Sequence, residues 1–219
     1  MSQKLFELLQ PVQQIAYSNP EGTARIVDKI EIHRFDHEPS IEGYRVAIFG
    51  VNDGRNSGDN EGCSAGPDAI RSWLYRLTPQ TRWAPVIDLG DVRSSFDEKN
   101  TESAVIIIVS ELVQMGIIPI MLGGGQDLTY AMYSALESIG RPINVVTVDQ
   151  RLDFGGDPET HTSRNFMNRL VLHEPNYLFD YVNVGHQGYL SDPDTLELLE
   201  RLQFKAIRLG EVNSNTHLI

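Results

Sequence analysis

Six short apolar runs punctuate the chain: Tyr44–Gly50, Val86–Val92, Ile117–Leu122, Asn144–Val148, Tyr181–Gln187 and Phe204–Leu209. Each stops at a glycine or a polar loop, the pattern of buried parallel strands. Between them the apolar spacing changes to the helical period. Pro67 opens a helix on which Ile70, Trp73, Leu74 and Leu77 share one face. A second helix starts at a cap, Asn100 or Thr101, and runs to Met115, with Gly116 just past its end. Its β-branched run Val105–Val109 would pass for a strand, but the distance from cap to glycine is too long for one. Asp127 caps a third helix, Leu128–Ile139; Phe166–His173 is a fourth; and Asp194 or Thr195 starts a fifth that ends at Leu202. Residues 1–43 are less regular. Phe6, Leu8 and Leu9 suggest a short amphipathic helix stopped by Pro11, and Ile26–His33 suggests an edge strand, together an arm that packs on a domain or a neighbouring subunit. Alternating strands and helices over 44–219 predict one α/β domain of three-layer α/β/α type around a mostly parallel sheet.

In such folds the chemistry sits beyond the carboxyl ends of the strands. Two loops stand out there. Strand 117–122 runs into Gly123-Gly124-Gly125-Gln126-Asp127, and strand 144–148 runs into Asp149-Gln150-Arg151-Leu152-Asp153. A third loop, Val51–Ala65, is long and polar and carries Asn56; loops of that length are usually functional or mobile. Asp149 and Asp153 could ligate one divalent cation of the Mn, Mg or Ca kind, or form a solvated loop whose acids Arg151 neutralises.

The two loops resemble those of the ureohydrolase family, which comprises arginase, agmatinase and formimidoylglutamase. That family carries a GGDHS-type loop after one strand and a DAHxD-type loop after the next. The resemblance extends upstream to the glycine-rich loop before Gly66-Pro67-Asp68-Ala69-Ile70-Arg71 and covers roughly residues 44–210. It implies an arginase-like fold, a pair of manganese ions, hydrolysis of a C–N bond in a small amidine or guanidine substrate, and a homo-oligomer. It places Asp149, Asp153 and Gln126 at metal-ligand positions, and Asn56, Asp127 and Arg151 on the substrate side. It places His161 where family members carry a substrate-contacting or proton-shuttling histidine. Formimidoylglutamase is the member the chain is most similar to by general impression rather than by a diagnostic residue.

Two departures bear on activity. Gln126 and Arg151 stand where the family has histidines. An amide oxygen is a weak ligand, and a guanidinium, always protonated and without an acceptor, is none. The third family metal motif, of SxDxDxxDP type, has no counterpart; Ser191-Asp192-Pro193-Asp194 reads as a cap and turn, so the chain is C-terminally truncated relative to the family. These residues predict impaired or absent metal-dependent hydrolysis, with Arg151 paired to a carboxylate in place of an ion. The alternative is a non-catalytic binding or structural subunit.

Composition narrows the field without changing this picture. A net charge of −12 disfavours nucleic acid and anionic membranes as partners. No run has the length of a membrane span, the N-terminus lacks a signal-peptide pattern, and the lone Cys63 fits a reducing, cytoplasmic setting and a passive thiol. Of the other histidines, His33 and His37 fall in the arm, His173 and His186 read as surface or strand-end residues, and His217 lies near the terminus. Neither a phosphate-binding glycine motif nor a nucleophile elbow is present.

Overall fold

A computed structural model describes residues 2–13, 22–95, 97–157 and 160–214. His217 lies outside them. The chain divides into two compact units, Met1–Leu136 and Glu137–Ile219, each with its own sheet.

The first unit is built on β4 (Val86–Val92), whose seven residues are all buried. In chain order the other elements are α1 (Ser2–Glu7), β1 (Leu9–Gln10), β2 (Glu31–Ile32), β3 (Val46–Gly50), α2 (Gly66–Leu74), α3 (Glu98–Gln114), β5 (Ile118–Leu122) and α4 (Thr129–Leu136). The strand order is β1-β4-β3-β5, with β2 also on β4. All pairings are parallel except β1 with β4. The N-terminal segment does more than lean on this sheet: β1 and β2 extend it, and Leu5, Phe6 and Leu9 enter the core beside Phe49, Leu89 and Ile108.

The β-branched run at 105–109 is helical, as its flanking signals imply. Val105, Ile108, Val109 and Leu112 form the buried stripe of α3. The cap is one turn earlier than expected: Asp97, not Asn100 or Thr101, accepts the Lys99 N–H at 2.9 Å, and Thr101 lies on the buried face. Asp127 likewise sits inside a 3-10 turn, Gln126–Leu128, and α4 begins after it.

α2 overturns the reading of its apolar face. Ile70, Trp73 and Leu77 are 42%, 71% and 56% exposed and only Leu74 of that face packs, half-buried, on the core; the helix instead buries Pro67 and Arg71, with Tyr75 at its C-cap. The cause lies in β4. Asp88 and Asp91 are buried in that strand, and a buried carboxylate demands a cation or donors. Arg71 and Tyr75 meet that demand, so the charged side of α2 turns inward.

The turn after β5 needs its glycines. Gly123 has φ +66°, and a Cβ there would lie 2.3 Å from Pro67 Cδ. Gly123→Ala should destabilise the first unit by about 2–4 kcal/mol in urea titration, from left-handed strain plus the collision with the first turn of α2.

The second unit holds a parallel sheet in the order β6 (Ile143–Val148), β7 (Leu178–His186), β8 (Lys205–Arg208). Its helices are α5 (Phe166–Leu172), α6 (Pro193–Arg201) and α7 (Leu209–Ser214). Phe154 and Phe204 pack edge-on against Tyr181 at 6.0 and 5.7 Å, and Phe166, Met167, Leu170 and Leu199 are buried. Asp192 caps α6 through the Asp194 N–H, which bears out the cap-and-turn reading of 191–194 and moves the helix start from Asp194 or Thr195 to Pro193. Among the described residues no helix is long and apolar enough to cross a membrane.

Candidate active site

In the second unit, the chain leaves β6 at Val148 and enters the loop 149–153. The Asp149 carboxylate folds back to accept the Arg151 N–H at 2.8 Å, a turn typical of aspartate. Leu152 and Phe154 are buried, which pulls the intervening Asp153 inward to 7% exposure, and its backbone takes φ +56°. Aspartate is one of the few non-glycine residues that adopt this conformation readily. Burial pushes the Asp153 carboxyl up to about 7; the Asp149 charge adds to the rise, and Arg151 and Arg164 oppose it.

Asp153 opens onto a cavity of about 430 Å³. Arg151 and Arg164 contribute cationic groups, Asp192 a second acid, and Thr160, Thr162, Ser191 and Thr195 hydroxyls. His161 lies between the two wall threonines on that loop. The cavity therefore has both signs of charge and many hydroxyls.

Two buried asparagines hold this loop region in place, and neither is evident among the sequence motifs. Asn183, in the middle of β7, donates to Thr147 Oγ1 at 3.0 Å and to the Arg151 carbonyl at 2.9 Å. Thr147 in turn bonds the Tyr181 hydroxyl at 3.0 Å, and burial pushes that hydroxyl up to about 12. Asn165 donates to the carbonyls of Asp157 and Thr160, both at 2.7 Å, and accepts the Thr162 N–H at 3.0 Å. For Asn183 the available signal was a polar residue interrupting an apolar strand, since a buried amide persists only where its bonds are made.

The arginine–carboxylate cluster expected at 149–153 is not formed. Among the described residues Arg151 makes no ion pair within 4 Å of Asp149 or Asp153, and it acts on Asp153 through space. The molecule does contain such a cluster, but at Arg71, Asp88 and Asp91 in the first unit.

The glycine loop belongs to the first unit and is fastened to the long loop 51–65. Gly125 N–H donates to the Asp53 carbonyl at 2.8 Å. Asn56 Nδ2 donates to Asp127 Oδ2 at 3.1 Å and to Glu98 Oε2 at 3.2 Å, so two residues picked from separate loops meet directly. Burial works to raise the Asp53 carboxyl, but hydrogen bonds from Arg55 and Thr101 outweigh it and leave the group below its ordinary range. Gln126 opens the 3-10 turn that leads into α4. Cys63 Sγ lies 3.2 Å from Ser57 Oγ, an ordinary polar contact.

Manganese can be tested against these donors. No group of three or more His, Cys, Asp or Glu gathers among the described residues. Within the second unit one Asp149 oxygen is engaged by a backbone N–H, and a guanidinium stands between the two acids in sequence. The donor set of that unit does not by itself fit a two-manganese centre.

Comparison with known proteins points the same way as the two loops. A human mitochondrial guanidino acid hydrolase is 28% identical over 144 residues, spanning 62% of this chain and 41% of the hydrolase. A formimidoylglutamase of Staphylococcus aureus (strain MSSA476) is 26% identical over 163 residues, spanning 73% and 50%. The chain thus spans about half the length, or less, of these curated relatives. Among solved structures, a Trypanosoma cruzi formiminoglutamase with Mn2+ superposes with a TM-score of 0.74 at 20% identity, covering 88% of this chain and 67% of that one. A Bacillus subtilis formimidoylglutamase gives 0.77 at 14%, covering 98% and 68%. These likenesses show the arginase-like α/β fold. The family model described as "Arginase family" matches residues 44–217, most of the length, and the chain belongs to the arginase family.

Proposed function

We propose that this chain is a formimidoylglutamase-like member of the arginase family that binds a small amidine or guanidine acid, with two-metal hydrolysis of the C–N bond impaired or absent. The observation that carries the binding is Asp153, a buried carboxylate facing a cavity that also contains Arg151 and Arg164. An amidinium or guanidinium donates to the Asp153 carboxylate, and a charge-assisted bond of that kind is about twice as strong as a neutral one. The two arginines suit a carboxylate at the other end of the ligand. That bipolar lining favours formimidoyl or guanidino acids over agmatine, which lacks the carboxylate. Manganese bound to Mn2+-containing relatives would activate water for attack on the amidine carbon; here Arg151 and Gln126 replace imidazoles at the corresponding positions, which supports the loss of that step.

The test is calorimetry with N-formimidoyl-glutamate, a guanidino acid and agmatine, combined with metal analysis after incubation with Mn2+ and desalting. Binding of the acids in preference to agmatine, abolished in Asp153→Ala, is the expected result, with well under one manganese per chain and no release of formamide or urea. Two manganese per chain with turnover would overturn the impairment and leave a working hydrolase. No binding of any of the three would favour the alternative of a structural subunit, for which Arg151 at a ligand position is the supporting feature.

A further inference from the structure

A second cavity, of about 510 Å³, lies at the carboxyl ends of β7 and β8 and, among the described residues, shares no lining residue with the first. We infer that it is an oxyanion site, built from His186 and Arg208, that takes a small carboxylate or phosphate.

The sheet places these two residues together. His186 and Arg208 are register partners at the last rung of β7 and β8. Paired residues on neighbouring strands project to the same face of a sheet. The register shifts just before that rung, where Gly185 takes φ +100°, and a bulge of this kind re-aims the side chain that follows. Gln187, Tyr189 and Glu211 complete the polar lining.

The observation that points to a ligand is the state of the imidazole. His186 is 2% exposed and lines the cavity, yet among the described residues neither ring nitrogen has a hydrogen-bond partner. Buried polar side chains are otherwise almost always bonded, and exceptions call for an explanation. Neutral imidazole has one N–H to donate and one nitrogen to accept with. The guanidinium of Arg208 adds a fork of donors on the same rung, suited to the paired oxygens of a carboxylate or phosphate. A protonated oxygen or a hydroxyl on the ligand can donate to the second imidazole nitrogen. The reading stands apart from the proposed function, because it uses neither the loop 149–153 nor its cavity.

The test is NMR of the imidazole nitrogens of the full chain, titrated with inorganic phosphate or acetate at constant ionic strength. The expected result is a saturable shift of the His186 resonances with at least one of the two anions, which also identifies the preferred oxyanion. Arg208→Gln, a change at an exposed side chain, should weaken that binding about tenfold or more, from loss of a charged hydrogen-bond partner. As a second variant, His186→Phe should abolish calorimetric binding of the same anion while leaving the far-ultraviolet circular dichroism intact. The inference is overturned if neither anion gives a saturable shift, or if Arg208→Gln binds as tightly as the parent.

Discussion

Arg71→Met should cost the first unit about 3–5 kcal/mol, enough to unfold a marginal domain, because it strands two buried carboxylates. Arg71 is 1% exposed; its Nε and one terminal nitrogen each donate to Asp88 at 2.9 Å, and its other terminal nitrogen donates to Asp91 at 2.6 Å. The Gly90 carbonyl accepts a further bond at 2.9 Å, and the Tyr75 hydroxyl donates to Asp88 at 2.9 Å. Burial alone would favour the neutral guanidine, but the two carboxylates outweigh it and hold Arg71 charged. One cation faces two acids. The imbalance appears at Asp91, where burial pushes the carboxyl up and Arg71 recovers only part of the rise. Such an ion cluster is poor evidence of net stability, yet removing one partner is severe, since the others keep the full penalty of burial.

Substitutions around the cluster distinguish charge from shape. Arg71→Lys restores the charge but lacks the planar fork, so it should recover less than half of the loss. Arg71→Met combined with Asp91→Asn should be more stable than Arg71→Met alone, because one stranded charge is gone. Urea titrations followed by tryptophan fluorescence report this unit selectively, since both tryptophans, Trp73 and Trp83, lie in it. A loss below about 1 kcal/mol for Arg71→Met would show that water reaches the acids and that the cluster is not sealed.

The same cluster explains how far the sequence was legible. Strand positions followed from apolar runs that end in a glycine or a polar loop, and the order of strands and helices carried the α/β class. α3 was legible through its length despite its β-branched centre. α2 was not. Periodicity weighs only apolar residues, and of the stripe it picks out Ile70, Trp73 and Leu77 are outside, with only Leu74 half-buried, because two acids in β4 required Arg71 inside. That demand comes from a strand many residues later and leaves no local trace in the helix. The loops 123–127 and 149–153 stood out by their place beyond strand ends and by resemblance, and in the first unit Asn56 and Asp127 proved to be in contact. The pairing assumed for Arg151 failed because charge complementarity within a short loop says nothing of side-chain direction: Asp149 turned to the backbone and Asp153 turned inward. The roles of Asn183 and Asn165 were not legible for a related reason, as their value lies in carbonyls that only the fold brings to them.

Asp153→Asn should stabilise the second unit at pH 8 and leave it nearly unchanged at pH 4. The carboxyl rises to about 7 in the folded chain, whereas an unfolded aspartate titrates near 3.9. Below about pH 4 both states hold the proton and burial carries no electrostatic penalty. Between about pH 4 and 7 the folded state keeps a proton that the unfolded state has released, so stability falls as the pH rises. Above about 7 the charge is buried and the penalty is complete, on the order of 2–4 kcal/mol. Asparagine has the same shape, tolerates φ +56°, and has no charge to bury, so the variant escapes the penalty. Amide hydrogen exchange of β6 and β7, measured at pH 5 and pH 8 and corrected for intrinsic rates, isolates this unit. The variant's advantage should grow over that interval. The same charge is what an amidinium would neutralise, so the stability gained by asparagine at pH 8 should be accompanied by loss of amidine-acid binding. A stabilisation equal at both pH values would mean that Asp153 is already charged and solvated at pH 5, and a solvated carboxylate would remove the basis for placing the cationic end of the ligand beside it.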